Sequence, residues 1–228
     1  MSDLIDIKTK MELSDSQGIY FKVGSCKIIF GPMFSFKSTE LVKYANLYVD
    51  PELGLSVLYI NHSIDVRDTK STDRNVTTHS SNFGGLDPKV DDISSEKLAN
   101  IDIDKYDVIC IDEGQFFEDI VTTVRKWVLV DNKKVIIACL DGDYKLTPFG
   151  NPENRVHNLI SICDPGGITK LGAVCKRCMK KDIKIRHHRF VPAGFTMRTS
   201  KLEGQVLVGA EDAYEPVCLE CYKKYNTH

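Results

Sequence analysis

Short apolar runs separated by polar or turn-forming residues dominate the pattern of this chain. Runs of this kind, apolar at nearly every position, are typical of strands buried on both faces of a sheet. Two further segments carry apolar side chains at helical spacing. The predicted strands are residues 26–30, 56–60, 106–111 and 135–140, and the predicted helices are residues 38–47 and 117–130. Strands that alternate with helices indicate right-handed crossovers and a largely parallel α/β sheet.

The polar stretches between these elements suggest how the chain is divided. Residues 1–22 have no clear period, and we expect a mobile N-terminal arm there. Residues 61–90 are rich in Thr, Ser, Asn and Gly and predict a long loop, which in a compact domain is usually functional or disordered. A Pro-Gly-Gly sequence follows Asp164, so we place the α/β domain at residues 23–165 and a smaller domain at residues 166–228.

Composition narrows the class of protein. The chain has 228 residues, of which 42% are hydrophobic and 27% charged, as in soluble globular proteins. The formal net charge of −2 argues against a general polyanion binder. The chain has neither the roughly 18-residue apolar run of a membrane span nor the apolar core of a secretory signal. We therefore expect a cytoplasmic protein that does not bind membranes.

Residues 31–38 resemble a phosphate-binding loop between the first strand and the first helix. The pattern G-x-x-x-x-G-K-[ST] is matched by Gly31, Lys37 and Ser38, whereas Phe36 replaces the second glycine. In such a loop the backbone N–H groups cradle phosphates, the lysine reaches the outer phosphates and the hydroxyl binds Mg²⁺. The alternative is a simple turn followed by a helix capped by Ser35 or Ser38.

Two adjacent carboxylates favour the phosphate-loop interpretation. Asp112 and Glu113 follow the third predicted strand, at the sheet edge where doubly wound folds bind ligands. Asp112 could hold Mg²⁺ opposite the loop, and Glu113 could then act as a base on an attacking hydroxyl. A solvated turn is the alternative for these two residues alone.

Four of the eight cysteines form two C-x-x-C pairs near the C-terminus. Two such pairs can supply the four thiolates of a tetrahedral zinc site, which would be structural because no coordination position stays open. The pairs are Cys175 with Cys178 and Cys218 with Cys221. A redox-active C-x-x-C is the rival interpretation, but it usually follows a strand in a thioredoxin-like setting.

The segment that includes the first cysteine pair is strongly basic. Residues 170–201 contain ten Lys or Arg and a single acid, Asp182. A basic zinc domain could bind nucleic acid, but Phe190 and Phe195 are the only aromatic residues there that could stack on bases. We therefore rank nucleic-acid binding below a solvated or nucleotide-neutralising loop.

Five segments in unchanged order closely resemble the cellular and poxvirus branch of the thymidine kinase family. They are GPMFSFKSTEL, IDEGQFF, LDGDYKLTPFG, KLGAVCKRC and AYEPVCLECY. This resemblance implies a P-loop-type parallel sheet with flanking helices, plus a small C-terminal zinc-binding domain with a lasso loop. It also implies transfer of the γ-phosphate of ATP to the 5′-hydroxyl of thymidine or deoxyuridine, in nucleoside salvage for DNA synthesis.

The resemblance also implies roles for individual residues. Glu113 matches the catalytic base, Ser38 and Asp112 match the magnesium residues, and the lasso (the segment between the two cysteine pairs) closes over the nucleoside. The residues implied to bind ATP and its phosphates are Gly31, Pro32, Met33, Phe34, Ser35, Phe36, Lys37, Ser38, Asp65 and Arg67. The residues implied to bind the nucleoside are Met33, Phe116, Leu140, Tyr144, Thr196, Leu207, Val208, Gly209 and Tyr214. The zinc ligands are the four paired cysteines.

Phe36 keeps alternatives open. Glycine at this position permits close backbone approach to phosphates, and a ring could block it. Either the ring occupies the phosphate cradle, or an ordinary φ lets it point into the core. We favour a working enzyme, with a catalytically impaired nucleotide-binding relative and a zinc-ribbon nucleic-acid binder as alternatives. The resemblance further implies a homotetramer and feedback inhibition by thymidine triphosphate.

Overall fold

A six-stranded parallel sheet forms the centre of the molecule. The computed structural model describes residues 24–63, 85–182, 190–199 and 213–225. The strands are β1 (Ser25–Gly31), β2 (Val57–His62), β3 (Asp91–Ser95), β4 (Val108–Ile111), β5 (Lys134–Leu140) and β6 (Ile168–Lys170). Their order across the sheet is β3-β2-β4-β5-β1-β6. The predicted parallel α/β class is confirmed, while the predicted arm at residues 1–22 lies outside the described residues.

Two apolar layers cover the two faces of the sheet. The helices are α1 (Lys37–Tyr48) and α2 (Ile120–Leu129), and short 3₁₀ turns lie at Leu98–Asn100, Gly114–Phe116, Pro152–Asn154 and Val156–Ile162. On β1, Ile28 packs in the layer that contains α2, and Ile29 packs in the layer that contains α1. Successive side chains of a strand point to opposite faces, so a strand covered on both faces is apolar throughout.

Two strands of the six-stranded sheet are not predicted by the hydrophobic pattern, and both lie at its edges. β3 pairs only with β2 and β6 only with β1, and most of their side chains are exposed or half-buried. An exposed edge strand does not need apolar residues, so it leaves no hydrophobic signal. β6 lies beyond residue 165, so the main sheet extends past the position at which we placed the domain boundary. The division into two domains stays a prediction.

A smaller unit that follows the sheet contains the paired cysteines, and we call it the cysteine module (residues 173–182, 190–199 and 213–225). β7 (Ala173–Val174) pairs with β8 (Pro192–Ala193), and β9 (Phe195–Arg198) pairs with β10 (Tyr214–Val217), both antiparallel. Helices α3 (Lys176–Asp182) and α4 (Leu219–Tyr225) complete the module. Its core is small: Ala173, Cys175, Ala193, Met197, Val217 and Cys221 are buried together.

The helices of the described residues are all too short or too polar to cross a bilayer.

Candidate active site

The phosphate loop connects β1 to α1 and is stabilised by its own hydrogen bonds. The Ser35 hydroxyl donates to the Pro32 carbonyl at 2.9 Å, and Lys37 Nζ donates to the same oxygen at 3.0 Å. A Cβ on Gly31 would lie 2.4 Å from Ser35 Oγ, so only glycine fits this turn. The simple alternative of a Ser35 cap on α1 is wrong, because this hydroxyl is bonded to Pro32 and the helix has no side-chain cap.

Phe36 adopts the backbone conformation that a glycine would adopt. Its φ and ψ are 62° and 30°, in the left-handed region, and Phe34 also has a positive φ of 63°. The Phe36 ring is 54% exposed, so it is not packed in the core. The loop thus keeps a glycine-like path with a side chain that strains it by about 1 kcal/mol. The sequence alternative that combined an ordinary φ with a core-packed ring is wrong.

Asp112 lies at the carboxyl edge of the sheet, where it contacts the phosphate loop. Its carboxylate accepts a hydrogen bond from Tyr59 OH at 2.9 Å, and the Ser38 side chain lies close enough to favour its charged form. The amide of Glu113 donates to Asp112 Oδ1 at 2.9 Å. Burial, and secondarily the negative charge of Glu113, raise the pKa of Asp112 to about 6, although these hydrogen bonds oppose the increase. The Ser38 hydroxyl and the Asp112 carboxylate therefore lie close together, and both offer oxygen atoms that suit a hard metal ion.

Glu113 is held beside this pair in a left-handed conformation, with φ 51° and ψ 40°. Gln115 Nε2 donates to Glu113 Oε2 at 2.6 Å, while Gln115 Oε1 accepts from the Leu140 amide at 3.0 Å. The glutamine side chain therefore connects the candidate base to the end of β5. Non-glycine residues in this conformation are uncommon and concentrate at functional sites.

Tyr59 and Gln115 are functional candidates that the sequence reasoning missed. Tyr59 is fully buried on β2, and its hydroxyl group donates a hydrogen bond to Asp112. Its signal in the sequence is a hydroxyl group within the apolar run Val57–Ile60. The signal for Gln115 is its position two residues after Glu113 in a recognisable motif.

Several of the residues implied to bind the nucleoside are aromatic, and we call this group, which one hydrogen bond connects to the phosphate loop, the aromatic wall. The Met33 amide donates to Thr196 Oγ1 at 3.0 Å, which connects the loop to β9. Phe116 meets Phe149 edge-on, with ring centroids 6.2 Å apart. Tyr144, Thr196 and Tyr214 are buried, whereas Met33, Phe116 and Leu140 are half-buried. Of the other predicted site residues, Asp65, Arg67, Leu207, Val208 and Gly209 lie outside the described residues.

The four paired cysteines converge in the cysteine module. Their Sγ atoms all lie within 4.8 Å of one another, and Cys178 Sγ is 3.8 Å from Cys218 Sγ and 3.6 Å from Cys221 Sγ. Four thiolates at 2.3 Å from a tetrahedral zinc ion would be about 3.8 Å apart. The thiol set therefore fits zinc in both chemistry and spacing. All four cysteines are free thiols in this structure.

The module contacts the sheet domain at three points around the site. Lys176 Nζ lies 4.4 Å from the centroid of the Phe34 ring, in the phosphate loop. Tyr222 OH donates to the Tyr144 carbonyl at 2.8 Å. Lys170 Nζ, at the end of β6, lies 5.9 Å from the centroid of the Phe195 ring on β9. The cysteine module is thus attached directly to the loop and to the aromatic wall.

Comparison with known proteins agrees with this geometry. The profile of the family described as thymidine kinase matches residues 24–222. A thymidine kinase of raccoon poxvirus is 33% identical over 202 residues, which cover 87% of this chain and 97% of the relative. The cytosolic thymidine kinase of Gallus gallus is 33% identical, and the match covers 87% of this chain and 77% of the relative. A thymidine kinase of sheeppox virus (strain KS-1) is 34% identical, and the match covers 87% of this chain and 97% of the relative. The chain belongs to the thymidine kinase family.

Proposed function

We propose that this protein transfers the γ-phosphoryl group of ATP to the 5′-hydroxyl of thymidine, and also of deoxyuridine. The observation that carries the proposal is the contact of Ser38 with Asp112 beside the phosphate loop, with Glu113 adjacent. The family of the chain supports thymidine as the nucleoside. Such a product would serve nucleoside salvage for DNA synthesis.

Glu113 is the residue we assign as the base. It would accept the proton of the 5′-hydroxyl as that oxygen attacks the γ-phosphorus. The hydrogen bond from Gln115 fixes the orientation of the Glu113 carboxylate, so that little reorganisation is needed during the reaction. Lys37, whose Nζ donates to the Pro32 carbonyl, would turn to the outer phosphates and stabilise their developing charge. The resemblance adds Asp65 and Arg67 to this group.

Ser38 and Asp112 are the residues that would hold Mg²⁺. Their hydroxyl and carboxylate oxygens are the ligand type that this ion prefers, and Tyr59 and Glu113 orient the carboxylate. When bound, the ion would neutralise charge on the β- and γ-phosphate oxygens.

The nucleoside would lie between the phosphate loop and the cysteine module. The Thr196 hydroxyl accepts from the Met33 amide, and such a hydroxyl can still donate its own proton to a pyrimidine carbonyl. Tyr144 and Phe116 would supply ring contacts with the base. The remaining proposed contacts are Met33, Leu140, Leu207, Val208, Gly209 and Tyr214.

Zinc would be held by all four thiolates and would have a structural role. With no open coordination position it cannot act on substrate, but it would fix both ends of the lasso. We extend the proposal to a cytoplasmic homotetramer that thymidine triphosphate inhibits, which rests on the family resemblance. Light scattering of the purified protein and an inhibition curve with thymidine triphosphate test these points.

The test of the function is a phosphorylation assay with radiolabelled thymidine and Mg-ATP. We expect turnover by the unaltered protein and a loss of about hundredfold or more in kcat for Glu113→Gln, because general-base catalysis contributes that much. Glu118→Gln is the matched control, since it removes an exposed carboxylate from the same segment. It should leave turnover unchanged.

Other results would contradict the proposal in different ways. Thymidine binding without turnover would show that the strained loop supports binding only, as in an impaired relative. Salt-sensitive binding to single-stranded DNA, without thymidine phosphorylation, would instead favour a nucleic-acid binder.

A further inference from the structure

Arg198 on β9 is a buried cation that the mechanism above does not use. It is only 5% exposed, in a module whose core contains six buried residues. Burial of a guanidinium is costly unless other groups replace its water contacts. Its position therefore needs a physical reason other than apolar packing.

Strand alternation places Arg198 on the side of the module that faces the sheet domain. Met197 points into the module core, so its neighbours Thr196 and Arg198 point to the opposite face. Thr196 contacts the phosphate loop through the Met33 amide. Arg198 therefore lies on the face of β9 that borders the proposed nucleoside site.

Arg198 connects two tyrosines that come from different parts of the molecule. Its guanidinium carbon lies 3.7 Å from the centroid of the Tyr144 ring, in the turn after β5. Its Nη2 donates to Tyr214 OH at 2.6 Å, across the register pair that Arg198 and Tyr214 form between β9 and β10. Arginine suits this position because its planar guanidinium can stack on one ring and donate hydrogen bonds in its own plane.

We propose that Arg198 is a positioning residue for the nucleoside site, which holds Tyr144 of the sheet domain and Tyr214 of the cysteine module in one arrangement. This inference rests on the proposed function, since both tyrosines are assigned there to nucleoside binding. Arg198 fixes the Tyr144 ring while Tyr222 holds the Tyr144 carbonyl, so the module controls this residue at two points. The residues proposed to act on the γ-phosphate lie in the phosphate loop and directly after β4. The contacts of Arg198 with Tyr144 and Tyr214 do not involve either segment.

The test compares Arg198→Met, which removes the charge and keeps the length, with Arg198→Lys. For Arg198→Met we expect the KM for thymidine to rise about ten- to hundredfold, the effect of losing a charge-assisted hydrogen bond and a stacked cation. The kcat and the KM for ATP should change little. Arg198→Lys keeps the charge but not the planar stack, so its KM for thymidine should lie between that of the unaltered protein and that of Arg198→Met.

Arg177→Met is the matched control within the same module. Arg177 also donates to a neighbour, Glu215 Oε2 at 2.6 Å, and also lies over a ring, that of Tyr225 at 5.0 Å. Glu215 follows Tyr214 on β10 and therefore points to the opposite face of the strand, so thymidine KM should stay unchanged even if thermal stability falls. A purely structural role for Arg198 would instead give parallel losses of stability and kcat in Arg198→Met and Arg177→Met.

A second measurement separates failure of this inference from failure of the proposed function. Turnover of thymidine by the unaltered protein, combined with an unchanged KM in Arg198→Met, would overturn the role of Arg198 alone. If the unaltered protein shows no turnover, calorimetric titration with thymidine replaces KM, and weaker binding by Arg198→Met alone supports the role. No thymidine binding by the unaltered protein would overturn both.

Discussion

The carboxyl edge of the sheet and the cysteine module form adjoining parts of the candidate site, and they are stabilised differently. The sheet edge rests on two apolar layers, and its functional side chains are positioned by hydrogen bonds to strand ends. The module has six buried core residues, two of them cysteines of the metal cluster. A core this small rarely supports a fold without a metal or disulfides. We infer that the apolar layers stabilise the sheet edge, whereas the module would depend on a metal held by its four cysteines.

The largest predicted effect is the loss of a zinc ligand, which would remove the main stabilising element of the module. For Cys178→Ser we expect bound zinc to fall from about one ion per chain to near zero, because a structural Zn²⁺ site contributes on the order of 10 kcal/mol. Thymidine phosphorylation should fall more than about hundredfold, since the module carries Thr196 and Tyr214. Metal analysis and the phosphorylation assay measure both effects.

Cys163→Ser is the matched control for that substitution. Cys163 Sγ contacts Cys26 Sγ at 3.7 Å and lies outside the metal cluster. Its loss should leave the zinc content unchanged. Full activity of Cys178→Ser after loss of its zinc would show that the module is stabilised without metal, and full zinc content would show that Cys178 is not a required ligand.

The next effect probes the apolar layers instead. Trp127 on α2 is buried against the sheet, and Trp127→Ala should reduce the free energy of unfolding by about 3–5 kcal/mol through the cavity it leaves. Chemical denaturation measures this change. Val130→Ala, at a position 67% exposed, should cost less than about 0.5 kcal/mol. Equal losses in the two variants would contradict the idea that this layer stabilises the sheet.

A smaller effect concerns the hydrogen bond to the buried carboxylate. Tyr59→Phe leaves Asp112 without one donor, and we expect a loss of about 1–3 kcal/mol in unfolding free energy. Half-maximal activity should also require more Mg²⁺, because the carboxylate is less well oriented. Tyr106→Phe is the control: Tyr106 OH donates to Asp91, whose side chain is 53% exposed and can bind water instead. Similar losses for both tyrosines would argue against a special role for the buried pair.

The smallest effect concerns the strained phosphate loop. Phe36→Gly removes the cost of a Cβ at φ 62° and should stabilise the protein by up to about 1 kcal/mol, after the entropy that glycine adds to the unfolded chain. Phe36→Ala keeps the Cβ and removes the ring. If the KM for ATP falls in both variants, the ring obstructs the nucleotide, whereas a decrease in the glycine variant alone indicates backbone strain.

The sequence predicted the buried part of the fold well and the exposed part poorly. All four central strands carry continuous apolar runs because both of their faces are covered. β3 and β6 escaped because edge strands expose most of their residues. The helix predicted at residues 117–130 is shorter in the structure, at Ile120–Leu129, because Asp119 is its non-helical N-cap residue and its carboxylate accepts from the Leu98 and Ala99 amides.

The candidate site divides in the same way. Motif spacing and position at a strand end identify Lys37, Ser38, Asp112 and the four cysteines as candidates from the sequence. Arg198 carries no such signal: in the sequence it is one of ten basic residues between positions 170 and 201. Its role depends on a strand register and on a contact with Tyr144, which is distant in the chain, and neither can be read from local pattern.

The pairing of β6 with β1 has a consequence for how this architecture could be modified. Both strands run the same way, so the phosphate loop and the chain that enters the module leave the sheet side by side, one strand spacing or about 4.8 Å apart. The Leu171 amide donates to the Phe30 carbonyl at 2.8 Å and extends this pairing to the exit point. The distance between the two parts of the site is therefore set by backbone geometry, whatever the length of the lasso. A module transplanted from a relative should keep its alignment with the loop when the junction is made within Ile168–Lys170.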